Sequence, residues 1–348
     1  QPGNTNLKWE KTVTYDAGLD MAVLDKRIEF VLDYYYKRTT DMLFSSDLPG
    51  YTGYSKQDQN IADMQNQGIE LRVTSMNFDR PVFKWMTTLN MSRNTNKILK
   101  LNFSGNQLDY ANTTFKYYAV GEPIAQFYLH EWGGVNPLNG NPQWVLADGT
   151  LTEVPPASKY STSRDNMKVC GSGLPTFYGG LTNNFIWKGF ELNFMFTFAL
   201  GSKMMNATRA TLLTYTTSDA YNLSREMLNA WEMSGQVTDI PKLKNASVIG
   251  NYDYTTSVTT TRFLEKNSYL RLKSLELAYS LPADLLKRTK VFNMIRVFVA
   301  GTNLWTVSPY SGIDPEVSAF GSSVMAAGYD NMTMPQSRSF QLGIRLGF

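Results

Sequence analysis

The stretch PQSRSFQLGIRLGF, residues 335–348, decides the fold. Phe340, Leu342, Ile344, Leu346 and Phe348 alternate with Gln341, Gly343, Arg345 and Gly347. Successive strand side chains point to opposite faces, so the segment has one continuous apolar face and one polar or small face. The apolar face runs to the final residue, an aromatic. Two settings suit it: a half-buried strand of a soluble sheet, or an outer-membrane barrel strand whose apolar face meets lipid and whose terminal ring lies at the interface.

The same alternation recurs upstream. From Leu7 to Leu24, Trp9, Val13, Tyr15, Ala17, Leu19, Met21 and Val23 share one parity, with Glu10, Thr12, Thr14, Asp16, Gly18 and Asp20 on the other. Asp25-Lys26 turns this strand into a second one bearing Ile28, Phe30, Leu32, Tyr34 and Tyr36. A polar loop is expected over 44–61. A third strand carries Ile69, Leu71 and Val73, and a fourth Phe83, Trp85, Thr87, Leu89 and Met91. A long irregular stretch, 102–175, precedes a fifth strand (Phe177, Leu181, Phe185, Trp187), a Lys188-Gly189 turn and a sixth (Phe190, Leu192, Phe194, Phe196, Phe198, Leu200). A second excursion over 201–267, with a short helix capped at Ser218-Asp219, leads to strands through Leu275–Leu281 and Ile295–Val299. A third loop, 309–334, precedes the terminal strand.

Connections therefore alternate short and long, as periplasmic turns and extracellular loops do in outer-membrane barrels. A soluble sandwich has no reason to sort its loops by length to one end. The outward parity of the sixth strand carries no charge, whereas Glu191, Glu276 and Asp16 fall on the inward parity, where a wet lumen solvates them. An Arg or Lys facing lipid at midplane would cost about 2–4 kcal/mol. The expected fold is all-β, a transmembrane antiparallel β-barrel. About nine strands are too few to close one, since open edges in lipid leave backbone groups unpaired. Residues 1–348 are thus expected to be the C-terminal portion of a larger barrel, and the start at Gln1 reads as that of a mature piece or fragment.

Composition agrees. Hydrophobic residues make up 43% and mean hydropathy is −0.29, with no apolar run long enough for a transmembrane helix; a lumen-facing parity dilutes hydropathy in a barrel. A net charge of +3 without a basic stripe argues against nucleic acid as a partner. The single cysteine, Cys170, excludes an internal disulfide, and the single histidine, His130, expected in a loop, excludes a histidine triad or zinc cluster. No catalytic residue, metal site or cofactor is expected.

Several segments together resemble the C-terminal barrel region of SusC/RagA-type TonB-dependent transporters of the Bacteroidetes outer membrane. They are NLKWEKTVTYDAGLDMAVLDKRIEFVLDYYYKRTTDML (6–43), NQGIELRV (66–73), VGEPIAQFY (120–128), YLRLKSLELAYSLP (269–282), VFVAGTNLWTVSPYSGIDPEV (297–317) and YDNMTMPQSRSFQLGIRLGF (329–348). The resemblance implies a 22-stranded barrel closed by an N-terminal plug, of which this chain supplies about the last nine strands and long extracellular loops. It implies active import of oligosaccharides or oligopeptides. The implied partners are a SusD-like surface lipoprotein acting as a lid, the remainder of barrel and plug, the TonB–ExbB–ExbD complex acting through that plug, and outer-membrane lipid. Where many members carry an acidic DxNGDG-like loop, this chain reads QWVLADGTLTEV (143–154), with only Asp148 and Glu153 acidic, which disfavours calcium there.

The candidate substrate-binding residues are the loop aromatics Tyr128, Trp132, Trp144, Tyr160, Trp231 and Tyr254, whose rings can stack on sugar faces or peptide side chains, pack the loops, or meet the lipoprotein. Arg271 and Lys273, at the outer end of the seventh strand, either line the cavity or form structural ion pairs. Three rivals are weighed against it: a passive porin, which the long aromatic loops and the resemblance oppose; a barrel enzyme, which the lone His130 opposes; and a soluble adhesin-like β protein, which detergent partitioning and heat-modifiable mobility would separate.

Overall fold

A computed structural model describes residues 2–48, 50–102, 107–109, 116–154, 166–213, 222–243 and 260–348. Nine strands run up and down in one antiparallel sheet, each paired with its sequence neighbours in the set. They are β1 (Lys11–Val23), β2 (Ile28–Asp47), β3 (Lys56–Asp79), β4 (Phe83–Leu101), β5 (Phe177–Trp187), β6 (Phe190–Leu200), β7 (Tyr269–Ser280), β8 (Met294–Val307) and β9 (Ser339–Gly347). All nine expected strands are present. β1 and β9 are the two edges of the sheet.

Register puts like with like. Leu19 faces Leu32, which faces Leu71 and then Met91; Leu181 faces Phe196. On this face large apolar side chains stay exposed: Leu277 is 47% accessible, Val299 48%, Leu342 81% and Phe340 72%. Burial inside a soluble body would have covered them; lipid does so instead. Toward the short-turn end the face becomes aromatic. Trp85 lies between Phe78 (6.0 Å) and Phe185 (5.2 Å), Phe194 stacks on Phe185, and Phe190 packs against Tyr279 (4.5 Å). The opposite face is polar. There Arg296 bridges Glu191 (2.8 Å) and Glu276 (2.6 Å), so those carboxylates are ion-paired and not merely solvated.

The short connections use left-handed turn chemistry. Leu24, Asp25 and Lys26 all have positive φ between β1 and β2. Lys188 (φ 46°) and Gly189 (φ 88°) make a two-residue hairpin whose twist matches the flanking strands. The β7–β8 connection includes a helix, α1 (Ala283–Thr289).

Two expectations needed correction. Most of 44–61 is strand: β2 and β3 are 20 and 24 residues long. Some 9–11 tilted residues cross a membrane, so both strands continue well above it. Once both faces are wet, alternation fades and the segment reads as loop. The stretch 102–175 is also far from irregular. It carries Lys116–Ala119, Gln126–Val135, Pro142–Val145 and Met167–Ser172, strands of a six-stranded sheet of its own.

Candidate functional site

The long connections 102–176, 201–268 and 308–338 lie at the end of the sheet opposite the hairpin turns and pack on one another. Their core holds Phe127, Leu129, Met205 and Phe263, each 0% exposed, with Ala210, Leu213, Met227 and Ile240 around them. A second cluster joins the tops of β3 and β4 (Ala62, Ile98, Leu101) to Tyr118, with Ile124 and Met325 against it. The loops are therefore tied down onto the lumen-side wall.

Polar ties reinforce the packing. Buried Lys116 donates from Nζ to the carbonyls of Ala125 (2.8 Å) and Ala327 (2.7 Å), and Tyr118 donates to Met325 O (2.9 Å), joining the first long loop to the last. Burial pushes the Lys116 amine down to about 6. Tyr310 donates to Asp330 (2.6 Å) inside the last loop, and its pKa is raised by burial and by that carboxylate. Ser224 caps a 3-10 turn, Arg225–Asn229, that buries Met227; Ser218-Asp219 lies outside the described residues. Asn206 caps a one-turn helix over Ala207–Leu212.

The candidate aromatics divide by environment. Tyr128 and Trp132 are half-buried on the strand Gln126–Val135. The Trp132 ring meets Trp144 edge-on at 6.1 Å and carries the Arg262 guanidinium 4.9 Å from its centroid. Burial lowers Arg262 to about 10. Trp144 is 2% exposed and fills the sheet interior. Trp231 donates from Nε1 to Pro137 O (3.0 Å), locking the second long loop to the first. Tyr160 and Tyr254 lie outside the described residues. His130 sits in the strand and not in a loop; it is 7% exposed, and burial lowers its pKa.

Arg271 is 3% exposed and pairs with Asp314 (2.5 Å) and Glu316 (2.5 Å) from the last loop, while Tyr269 donates to Glu316 (2.8 Å). Lys273 is the extra residue of a bulge in β7 and donates to Gln336 Oε1 (2.6 Å). Of the two roles expected for these residues, Arg271 takes the structural ion pair, while Lys273 donates to an amide.

One cluster was missed. Glu153 accepts amide hydrogens from Asn136 (2.5 Å), Asn139 (2.9 Å) and Asn141 (2.7 Å), which hold its carboxyl below the usual range. The signal was present as three asparagines within N-P-L-N-G-N. Asn136 and Asn139 each turn their oxygen to a backbone N–H, of Leu138 and Asn141, so their NH2 groups face the carboxylate. That orientation presents donors, which suits an anion and not a cation. Among the described residues no three His, Cys, Asp or Glu side chains gather as metal ligands.

Comparison with known proteins agrees with this geometry. The family model "TonB dependent receptor-like, beta-barrel" matches residues 1–198. The chain is 33% identical to TonB-dependent receptor P3 of Formosa agariphila, over 99% of this chain and 35% of that protein. It is 28% identical to TonB-dependent receptor SusC of Bacteroides thetaiotaomicron, over 99% and 32%. Among solved structures, the RagAB peptide transporter superposes with a TM-score of 0.84 at 28% identity, covering all of this chain and 36% of that one. The chain thus spans about a third of the length of the curated relatives it matches. With its lipid-facing sheet, hairpin turns at one end and folded loops at the other, the chain belongs to the TonB-dependent receptor-like β-barrel family of the outer membrane.

Proposed function

We propose that residues 1–348 are the C-terminal wall and outer mouth of a TonB-dependent importer of oligopeptides or oligosaccharides. The remaining strands, the plug and its TonB box belong to the rest of the transporter, whose full barrel has 22 strands. A SusD-like lipoprotein closes over the loops, and the TonB–ExbB–ExbD complex drives opening through the plug. The substrate crosses unchanged. The observation that carries this reading is the loop assembly: three long loops share a core and are pinned to the wall. A passive channel gains nothing from so much ordered structure over its mouth, whereas a gated one needs a firm rim.

Within that mouth Tyr128 and Trp132 are the proposed ligand contacts, with Lys273 a third on the wall strand; Trp144, Trp231 and Arg271 hold the loops in place. Uptake of labelled oligopeptides and oligosaccharides by cells carrying the complete transporter, with and without TonB, tests the reading. Uptake is expected to vanish without TonB; equal uptake in both strains would establish a passive channel instead. Trp132→Ala should weaken binding about 5–10-fold, the worth of one stacked ring, as measured by titration of the purified complex.

A further inference from the structure

We propose that the outer surface of β2–β4, just above the membrane, binds the phosphate groups of an outer-leaflet lipid through Arg38, Arg93 and Lys97. All three lie on the parity that faces lipid lower down. Arg38 is opposite Gln65, which is opposite Lys97, and Arg93 is opposite Ile69. Counted from the short-turn end, Arg38 is the eleventh residue of β2 and Arg93 the eleventh of β4. A tilted strand crosses the hydrocarbon in about 9–11 residues, so both guanidinium groups emerge where headgroups begin. Lys97 stands four residues higher on β4.

The surface below them is suited to acyl chains. Tyr15 is 67% exposed, Tyr34 47% and Ile69 49%, and the Tyr15 and Tyr36 rings lie 6.3 Å apart as part of an interfacial girdle. An occupant must therefore be amphiphilic, with tails on the girdle and an anionic head above it. Arg38, Arg93 and Lys97 are all exposed. Asp63 approaches Arg38 at 3.8 Å with half of the arginine side chain still open. Among the described residues Arg93 and Lys97 have no acidic partner; Arg93 instead rests over the Phe177 ring at 5.3 Å. Neighbouring strands are about 4.8 Å apart and residues rise about 3.3 Å, which puts Lys97 roughly 10 Å from Arg38 and roughly 13 Å from Arg93 and leaves the two arginines roughly 16 Å apart, so that Lys97 links them across a headgroup carrying more than one phosphate or across two adjacent ones. Arg forks match phosphate oxygens with paired hydrogen bonds. Nothing in this inference depends on what the transporter imports.

The test uses the complete transporter in nanodiscs, with native mass spectrometry counting retained lipid. The probes are lipid A with its phosphates and lipid A stripped of them. Each cation near an anionic surface is worth about 1 kcal/mol, so the R38A/R93A/K97A variant should retain phosphorylated lipid on the order of 100-fold less well. R38K/R93K/K97R should keep most of it. Should the triple alanine variant fail to assemble, R93Q and K97Q separately should each lose about fivefold. Equal retention of the two lipid A forms by the wild type, or unchanged retention by the alanine or glutamine variants, would overturn the proposal.

Discussion

Arg271, on the seventh wall strand, and Asp314, in the last long loop, meet 2.5 Å apart with both side chains 4% exposed. Glu316 completes the site on the same guanidinium. Asp314 is doubly used, since its carboxylate also accepts the backbone N–H groups of Glu316 and Gln336. One side chain of the wall thus fixes the fold of a loop that reaches from residue 308 to 338. Arg271→Met should strand two carboxylates in a dry place and cost about 3–5 kcal/mol, read as a lowered unfolding temperature and faster hydrogen exchange over 308–338. R271M/D314N/E316Q should recover part of that loss, because no unpaired charge stays buried. A triple variant no more stable than the single one would contradict this account.

Lys116 makes a second tie with a pH signature. Its folded value of about 6 lies below the ordinary 10.5 because burial disfavours the charged amine. Between those two values the unfolded loop binds more protons than the folded one, so stability rises with pH across that window and is flat below it. The opening free energy from hydrogen exchange around Ala125 and Ala327, corrected for intrinsic rates, should climb from about pH 6 toward pH 10. In Lys116→Met this slope should vanish. An unaltered slope in the variant would place its origin elsewhere.

The wall was legible in the sequence because lipid on one side and water on the other impose strict alternation, as Phe190–Leu200 shows residue by residue. The turn at Lys188-Gly189 was legible through its glycine, which takes the second of two adjacent positive φ values at no steric cost. The tops of β2 and β3 were not, since both faces there are wet and parity carries no signal. Nor were the loop ties. Lys116 and Ala327 are 211 residues apart, and nothing local marks either as the other's partner. Trp231 read as a ring available for ligand, but its indole N–H is committed to a carbonyl 94 residues away. Loop aromatics look alike in sequence whether they bind cargo or hold the loop.

Glu153 offers a contrasting pH response. Three asparagine amides stabilise its ionised form and depress its pKa below the ordinary 4.5. The stabilisation is complete above that ordinary value and is lost as pH falls through the lower folded one. Glu153→Gln should remove it at every pH, because an NH2 group would then confront asparagine NH2 groups that their own turns hold in place. About 1–3 kcal/mol of local stability is at stake, visible as lost exchange protection over 136–151. Wild-type protection there that does not change between pH 7 and pH 3 would speak against the cradle.

The two faces of the sheet can be separated by moving one charge by a few residues. Phe196 lies near the middle of the sixth strand on the apolar face, beside Leu181 and opposite Leu272. Asn193, on the same strand, is exposed on the polar face, opposite Glu276. Phe196→Arg would put a guanidinium into hydrocarbon at about 2–4 kcal/mol and also remove a ring that packs against Phe194 at 5.8 Å. Asn193→Arg would put the same group in a wet lumen beside carboxylates. In the complete transporter, F196R should therefore reduce the folded fraction reaching the outer membrane, seen as loss of the heat-modifiable band, while N193R should assemble like the wild type. If N193R failed and F196R assembled, the lipid and water sides of the sheet would have to be exchanged.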